Sequence, residues 1–518
     1  MQAAWEKIVK ASALLMALQI LTDVIGLLKQ VVIAGQFGTS DTMDGYLVAK
    51  TLLEVILVWL SRPIDRTIIP IFRYDLAQRG EQAAWANFST LFNNLVPVFI
   101  FVALIGWFSA PYLVALMAPG FEKGTGALAT SLAQIIMASL VFGGIGHLLS
   151  QIFFSYKRFL LPGIVGGVDN VVVLLAFLAL SGTYGIYGLA TAVVLGAFSR
   201  FALQFSILWE KRQFYCAKVD PRHPGMLEMG KLSFPLLILA GGTEVARITD
   251  RIFASLLPAG SLSALALAHG LIDLPMKLCM GPLQKATFPH FTELSAKEKF
   301  QKLSRQLFHY LCVVLCLALP IAIGTMALAE PLVRVLYQRG AFDETSVRLT
   351  SQALFFYAIG FPAWATSRVL ARTFFGLKDT WTPSKIALLC MGLKIILAWV
   401  LIRPLAHMGI ALAESLSEIT KASFLFFFLP DQVKRHEGWN TVKSLGRTLA
   451  TSILMLAVIY LVKDRIAGLV SIPLELAALI LLGFATYVGI AFLFRGEEIQ
   501  SLVKALRALG TKLIPTKS

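Results

Sequence analysis

Residues 43–72 read MDGYLVAKTLLEVILVWLSRPIDRTIIPIF. At about 1.5 Å of rise per residue, this stretch taken as a helix spans the roughly 30 Å of a bilayer's hydrocarbon core. Yet it carries Asp44, Lys50, Glu54, Arg62, Asp65 and Arg66. A charge at that depth is costly unless it faces the protein interior or a water-filled cavity. The stretch therefore decides two things: it is a membrane helix, and the bundle it belongs to has a polar interior. Lys50, Glu54, Ser61 and Asp65 follow i, i+4, i+11, i+15, one narrow stripe of a helix. The stripe reads as a cavity wall. The plainer alternative is that Lys50 and Glu54 only pair with each other while the arginines reach back to the surface. Pro63 is expected to bend the helix and free a carbonyl near the charges.

The rest of the 518-residue chain is of the same kind, 57% hydrophobic and 15% charged, with a mean hydropathy of +0.74. Water-soluble chains of this size do not carry such values. Apolar runs of spanning length fall near 8–34, 43–72, 87–110, 127–155, 161–182, 185–209, 231–257, 262–290, 306–328, 347–375, 383–402, 408–429, 444–462 and 472–494. They predict an all-α polytopic membrane protein of about fourteen transmembrane helices. With the N-terminus inside, alternate loops hold about 27 Lys and Arg on the cytoplasmic side and about 7 outside, which places both termini in the cytoplasm. Most of the net charge of +16 lies in the inner loops and the C-terminal tail. Anionic lipid headgroups, rather than nucleic acid, are the partner that charge implies. No small-residue cleavage site follows the first apolar run, so it reads as a retained span. Cys216, Cys279, Cys312, Cys316 and Cys390 form no Cys-x-x-Cys or Cys/His cluster and read as packing residues, with no metal site.

The polar loop Glu210 to Lys231 is the candidate boundary between an N-terminal lobe, 1–210, and a C-terminal lobe, 231–430. Two further helices occupy 443–495, and a basic amphipathic tail, 496–518, is expected on the inner membrane surface. A repeat supports the two lobes. At a constant offset of 221 residues Phe121 meets Phe342, Leu128 meets Leu349, Leu149 meets Leu370, and Phe153-Phe154 meets Phe374-Phe375. Lys157 then meets Lys378, Pro162 meets Pro383 and Gly188 meets Gly409. The offset spans an even number of helices, so the six-helix copies run parallel and are expected to share a cavity between them.

Charge recurs in other spans. The seventh carries Glu244, Arg247, Asp250 and Arg251 within roughly a 120° arc, after Gly241-Gly242. Either these groups neutralise one another, or one is left for an anionic ligand or a coupling ion, with Asp250 or Glu244 as the cation or proton site. The eighth presents His269, Asp273 and Lys277 at i+4 steps, the eleventh Lys394, and the twelfth Glu414, Glu418 and Lys421. His269 beside Asp273 either carries a proton or is a satisfied packing residue. No Walker loop, His-Glu-x-x-His or Gly-x-Ser-x-Gly occurs, which argues against an ATP-driven pump or a hydrolase. Asp41 and Asp44 resemble a metal-binding carboxylate pair but serve equally as helix N-caps, and the outer loops are short for an active site.

The segment Leu336 to Pro383, LYQRGAFDETSVRLTSQALFFYAIGFPAWATSRVLARTFFGLKDTWTP, is very similar to the pattern of the MviN/MurJ lipid II flippases of the MOP exporter superfamily. Ala118-Pro119-Gly120-Phe121, Ile252-Phe253-Ala254-Ser255, Gly260 to Leu265 and Leu274-Pro275 extend the resemblance over nearly the whole chain. It implies two six-helix lobes around a lipid-accessible cavity in a bacterial inner membrane, with the last two helices lining a groove for a polyprenyl tail. It also implies a monomeric carrier that flips an undecaprenyl-pyrophosphate-linked glycan by alternating access. Cavity cations would bind the pyrophosphate, and a cation gradient or the membrane potential would reset the carrier, with no cofactor. The departures are specific. Thr22-Asp23 stands where the family has Ser-Arg, Lys29-Gln30 where it has Arg-Asp, Leu57 and Gly270 where it has cavity arginines, and Ser61 where it has a glutamate; Gly26 and Asp44 are kept.

The chain thus resembles a divergent flippase in which Lys29, Lys50, Arg247, Arg251 and Lys277 hold the pyrophosphate. Asp23, Asp44, Glu54, Glu244, Asp250 and Asp273 then gate or couple ions. Lipid II is the leading substrate. The alternatives are another polyprenyl-linked glycan of O-antigen or capsule type, a MATE-like small-molecule antiporter, and a non-transporting membrane scaffold.

Overall fold

The computed structural model describes residues 2–220, 222, 244–280, 291–434, 438–466 and 471–493. These are helical with no strand among them. The helices are α1 (Gln2–Phe37), α2 (Asp41–Gln78), α3 (Gly80–Met117), α4 (Lys123–Ser155) and α5 (Leu160–Gln204). After them come α6 (244–255), α7 (Ser261–Pro275), α8 (Phe300–Ala327), α9 (Ala329–Tyr337) and α10 (Glu344–Gly376). The last four are α11 (Trp381–Leu405), α12 (His407–Phe427), α13 (Gly438–Ile466) and α14 (Ile472–Leu493). The C-terminal tail, Gly241-Gly242 and most of the loop expected to divide the lobes lie outside the described residues.

Among the described residues, nine helices are long and apolar enough to cross a membrane. One of them, Leu160–Glu210, unites the expected fifth and sixth spans across a break at Gly185, where φ is 53° and ψ is −127°. α2 and α12 fall outside that set because their charges crowd every window of spanning length: Lys50, Glu54, Arg62 and Asp65 in one, Glu414, Glu418 and Lys421 in the other. α2 nevertheless runs without interruption from Asp41 to Gln78, through the position of Pro63.

The chain clusters into two compact units, Met1–Ser263 and Ala264–Ser518. In the first, α2, α3 and α5 all pack on α4, which approaches closely through Gly143, Gly144 and Gly146. A Cβ on Gly144 would meet the Phe99 ring at 2.9 Å, so the absence of a side chain sets the α3–α4 distance. Residues 244–263, expected from the sequence in the C-terminal lobe, cluster with the first unit, where α6 is tied to α2. In the second unit α10 packs on α8 and α12, and Gly360 lets α10 approach Ser415, whose Oγ accepts the Gly360 N–H at 3.1 Å. α13 and α14 close on α8 around Cys316, Met455, Ile459, Leu476 and Leu479, and the buried Tyr487 hydroxyl donates to the Cys316 carbonyl at 2.6 Å.

The backbone repeats with the sequence. Tyr156 N–H donates to Ile152 O, Lys157 N–H to Phe154 O and Arg158 N–H to Phe153 O. The same three bonds join Leu377 to Thr373, Lys378 to Phe375 and Asp379 to Phe374, each 221 residues later. Lys157 and Lys378 both take left-handed φ, 58° and 63°, and Gly185 is matched by Ala406 at φ 48°.

Two expectations need correction. Cys312, Cys316 and Cys390 are buried as packing residues, but Cys216 is exposed, because it lies in the polar segment beyond α5. The N-cap of α2 is Ser40, which accepts the Met43 N–H at 3.3 Å; Asp41 and Asp44 occupy the first turn.

Candidate functional site

Ser40 begins α2 with an extended backbone, and Asp41 and Asp44 favour the positive end of the helix dipole. From that start the helical period brings Lys50, Thr51 and Glu54 to one side, where α6 presents Glu244, Arg247 and Arg251. Lys50 Nζ lies 3.5 Å from Glu54 Oε1. Arg247 Nη1 lies 3.5 Å from both Glu54 Oε2 and Glu244 Oε2, bridging the two helices. Arg251 Nε donates to Thr51 Oγ1 at 3.1 Å. The exposures separate the roles. Glu244 is buried at 3%, whereas Lys50, Glu54 and Arg247 keep 43–44% of their side-chain surface open. Buried Glu244 anchors the bridge, and the open cations remain reachable by an anion. Asp250, half-buried, sits one turn from Arg247 on the same helix.

α1 adds Lys29, whose Nζ is held at 2.5 Å by the Asn170 side-chain oxygen of α5; Asn170 Nδ2 in turn donates to the Thr22 carbonyl. A neutral amide partner leaves the lysine's charge uncompensated by direct contact. Asp23 lies one turn from Gln19, whose amide donates to Oδ1 at 3.2 Å, while Oδ2 is buried without a partner. Asp44 stands apart. Its carboxylate accepts the Gly260 N–H at 2.8 Å, the Ser263 N–H at 2.7 Å and the Ser263 hydroxyl, a set of bonds that ties α2 to the start of α7.

The first unit thus brings together Lys29, Lys50, Glu54, Glu244, Arg247, Asp250 and Arg251 of the expected residues. Asp273 and Lys277 belong to the second unit, where Lys277 Nζ meets Asp273 Oδ2 at 2.7 Å. His269 there packs edge-on to Tyr357 with ring centroids 5.4 Å apart and lies 5.9 Å from Trp364. Lys394 pairs with Glu414 and Lys421 with Glu418, and Glu418 also accepts the Ser367 hydroxyl at 2.9 Å. Sequence reasoning passed over Asp169, Arg200, His147 and Gln151 of the first unit, though not Asp65, which belongs to the stripe on α2. Asp169 faces Arg200 at 3.6 Å, and Asp65 faces His147 at 2.7 Å, with Gln151 donating to the same oxygen at 3.0 Å. An ionisable residue alone in an apolar run was the available signal for Asp169, Arg200 and His147. Among the described residues no group of His, Cys, Asp and Glu has the arrangement of a metal site.

Comparison with known proteins follows the same lines. The family model described as "Lipid II flippase MurJ" matches residues 33–479. A probable lipid II flippase MurJ of Buchnera aphidicola subsp. Schizaphis graminum is 26% identical over 418 residues, which are 79% of this chain and 80% of that protein. One from Vibrio cholerae serotype O1 is 23% identical over 517 residues, 96% of this chain and 98% of that protein. Among solved structures, a lipid II flippase MurJ in an inward closed conformation superposes with a TM-score of 0.79 at 22% identity, covering 94% of this chain and all of that one. An inward-facing multidrug resistance MATE transporter of the MOP superfamily superposes with a TM-score of 0.67 at 11% identity, covering 79% of this chain and 93% of that one. These two likenesses are of fold.

Proposed function

The chain belongs to the lipid II flippase MurJ family, and from that membership we propose that it moves lipid II from the inner to the outer leaflet of a bacterial cytoplasmic membrane by alternating access. It acts as a secondary-type transporter rather than an enzyme, works as a single chain with both termini cytoplasmic, and draws on a cation gradient or the membrane potential. One observation carries the substrate reading. Arg247, held between Glu54 and Glu244 yet 43% exposed, stands with Lys50 and Arg251 on one face of the first unit. A pyrophosphate replaces carboxylate partners at such a guanidinium with equal geometry, because Arg binds either anion through two parallel N–H bonds. Lys29 supplies a further ammonium with only an amide in direct contact.

The family's usual cavity arginines are replaced at Leu57 and Gly270. The charge is instead carried by α6 and by Lys29 and Lys50. Charge on the wall of a water-filled cavity keeps its electrostatic effect when it moves by a turn or two. A different polyprenyl-linked glycan is the second reading, favoured by that same relocation.

The test is lipid II translocation in proteoliposomes of the purified protein. Arg247→Ala and Arg251→Ala each lower the rate by about tenfold or more, the loss expected of one charge-assisted contact of about 1.5–3 kcal/mol, with unchanged protein abundance. Wild-type rates in both variants would move the binding site elsewhere. Failure of the wild-type protein to move lipid II, with transport of another polyprenyl-pyrophosphate glycan, would favour the second reading.

A further inference from the structure

Away from the α2–α6 cluster, the first unit has a half-open pocket with one polar side. A cavity of about 110 Å³ lies among α2, α3, α4 and α5, walled on its polar side by Ser61, His147, Ser150, Arg200 and Gln204 and on its apolar side by Phe99 and neighbours. It is large enough for several waters. Gln204 is 2% exposed; its amide donates to Ser150 Oγ, and its Oε1 has no partner. The Arg200 Nε is likewise buried without a hydrogen bond, its Asp169 contact being 3.6 Å away. Buried polar atoms of that kind call for water or a solute in the cavity.

At one side of the cavity stands the contact between α2 and α4. His147 Nε2 lies 2.7 Å from Asp65 Oδ1, and Gln151 Nε2 donates to the same oxygen at 3.0 Å. Four helices contribute to the surroundings of this pair. α2 supplies Asp65, with Arg62 one turn earlier and exposed; α3 supplies the Phe99 ring; α5 supplies Arg200, itself engaged with Asp169; α4 supplies Gln151. With a neutral imidazole the Asp65–His147 unit carries one negative charge inside a membrane-spanning helix pair, contacted by the Gln151 amide. One bound proton neutralises the unit and turns the hydrogen bond between a neutral imidazole and the carboxylate into an imidazolium–carboxylate pair, which is stronger. Histidine exchanges that proton in the physiological range, and the cavity brings water to it.

We infer that Asp65 and His147 form a proton-binding site whose occupancy sets how firmly α2 is held to α4. The chemistry is the reversible transfer of one proton between water in the cavity and the carboxylate–imidazole unit, with no other reactant. Because α2 also carries Lys50 and Glu54, a protonated clamp at Asp65 restrains the helix that holds half of the cationic cluster. Protonation therefore slows the rearrangement of the unit. The inference deepens the flippase reading and rests on it for its transport consequence, though not for the proton site.

Two measurements on the full-length protein separate these. In nanodiscs with ¹⁵N-labelled histidine, the resonance absent from His147→Gln moves with pH, and Asp65→Asn changes that response. A resonance that stays fixed, or one indifferent to Asp65→Asn, overturns the site. In lipid II proteoliposomes the wild-type rate falls about tenfold from about pH 7.5 to about pH 5.5, whereas His147→Gln and Asp65→Asn give pH-independent rates. A variant that keeps the wild-type profile, or a wild-type rate that rises in acid, overturns the clamp. Absence of lipid II transport at every pH, with His147 titrating as expected, rejects the substrate reading and leaves the proton site standing.

Discussion

Asp44 shows how one carboxylate is used when three donors converge on it. Its two oxygens take the N–H groups of Gly260 and Ser263 and the Ser263 hydroxyl, and the residue is 3% exposed. Gly260 is suited to the place for a second reason: its φ is +85°, and a Cβ there would lie 2.5 Å from the Thr39 carbonyl oxygen. Asp44→Asn replaces one acceptor oxygen with an N–H₂ that faces backbone donors. It is expected to lower stability by about 1–3 kcal/mol, the cost of an unsatisfied buried polar group. Thermal unfolding in detergent checks this, and an unchanged midpoint would mean the bonds are not needed. The sequence marked Asp44 as a charge kept in the family's position and assigned it to gating. Its partners lie more than two hundred residues away, which no local pattern displays. The stripe from Lys50 to Glu54 was legible because helical period alone places those residues together. Asp169, Arg200 and His147 were not, because each stands alone in an apolar run and acquires meaning only from the helix facing it.

At the scale of elements, the break inside α5 and the junction of α11 with α12 are the same device built from different residues. Gly185 has φ 53°, ψ −127° and Ala406 has φ 48°, ψ −130°. Glycine enters that region freely, whereas a residue with a Cβ does so at a cost of about 1–3 kcal/mol. Nothing lies within 4 Å of a Cβ built on Gly185, so an alanine there meets backbone strain and no clash. The reciprocal changes therefore have opposite signs. Ala406→Gly is expected to raise stability by about 1 kcal/mol and Gly185→Ala to lower it by at least about that much. Unfolding midpoints that move in the same direction would show that the two breaks are not equivalent. The chain doubles back closely after each: a Cβ on Gly188 would reach the Leu180 carbonyl at 2.9 Å, and one on Gly409 the Leu401 carbonyl at 2.3 Å. The sequence match of Gly188 with Gly409 registered this close approach. The Gly185–Ala406 match escaped it, because the shared property is a dihedral angle and the residue types differ. Where composition alone sets the outcome, as in the apolar runs of α3, α8 and α14, the helices were readable directly. α2 and α12 needed the opposite reasoning, since the charges that obscure them as spans are what identify their faces.

At the scale of the molecule, the orientation proposed for this chain is testable where three connections of the first unit meet. The turn between α2 and α3, the corner between α4 and α5 and the segment after α5 are linked by ion pairs at one end of the unit. Arg158 contacts Glu210 at 2.6 Å, and Lys211 contacts Glu81 at 2.8 Å and lies 5.3 Å from the Tyr156 ring centroid. Arg79, Lys157, Arg212 and Lys218 add to the positive charge of that end, whereas the opposite connection, between α3 and α4, holds Lys123 alone among its basic residues. Loops that stay in the cytoplasm retain such an excess of Lys and Arg. Cys216 lies in the basic segment, exposed, with its carbonyl fixed by the Asn93 amide at 2.9 Å, while Cys312, Cys316 and Cys390 are buried. In a Cys279→Ser background, a membrane-impermeant maleimide is therefore expected to modify Cys216 in inside-out vesicles and to leave it unmodified in intact spheroplasts, with Cys216→Ser abolishing the signal. Labelling in intact spheroplasts would invert the orientation and place the Lys211–Glu81 end outside.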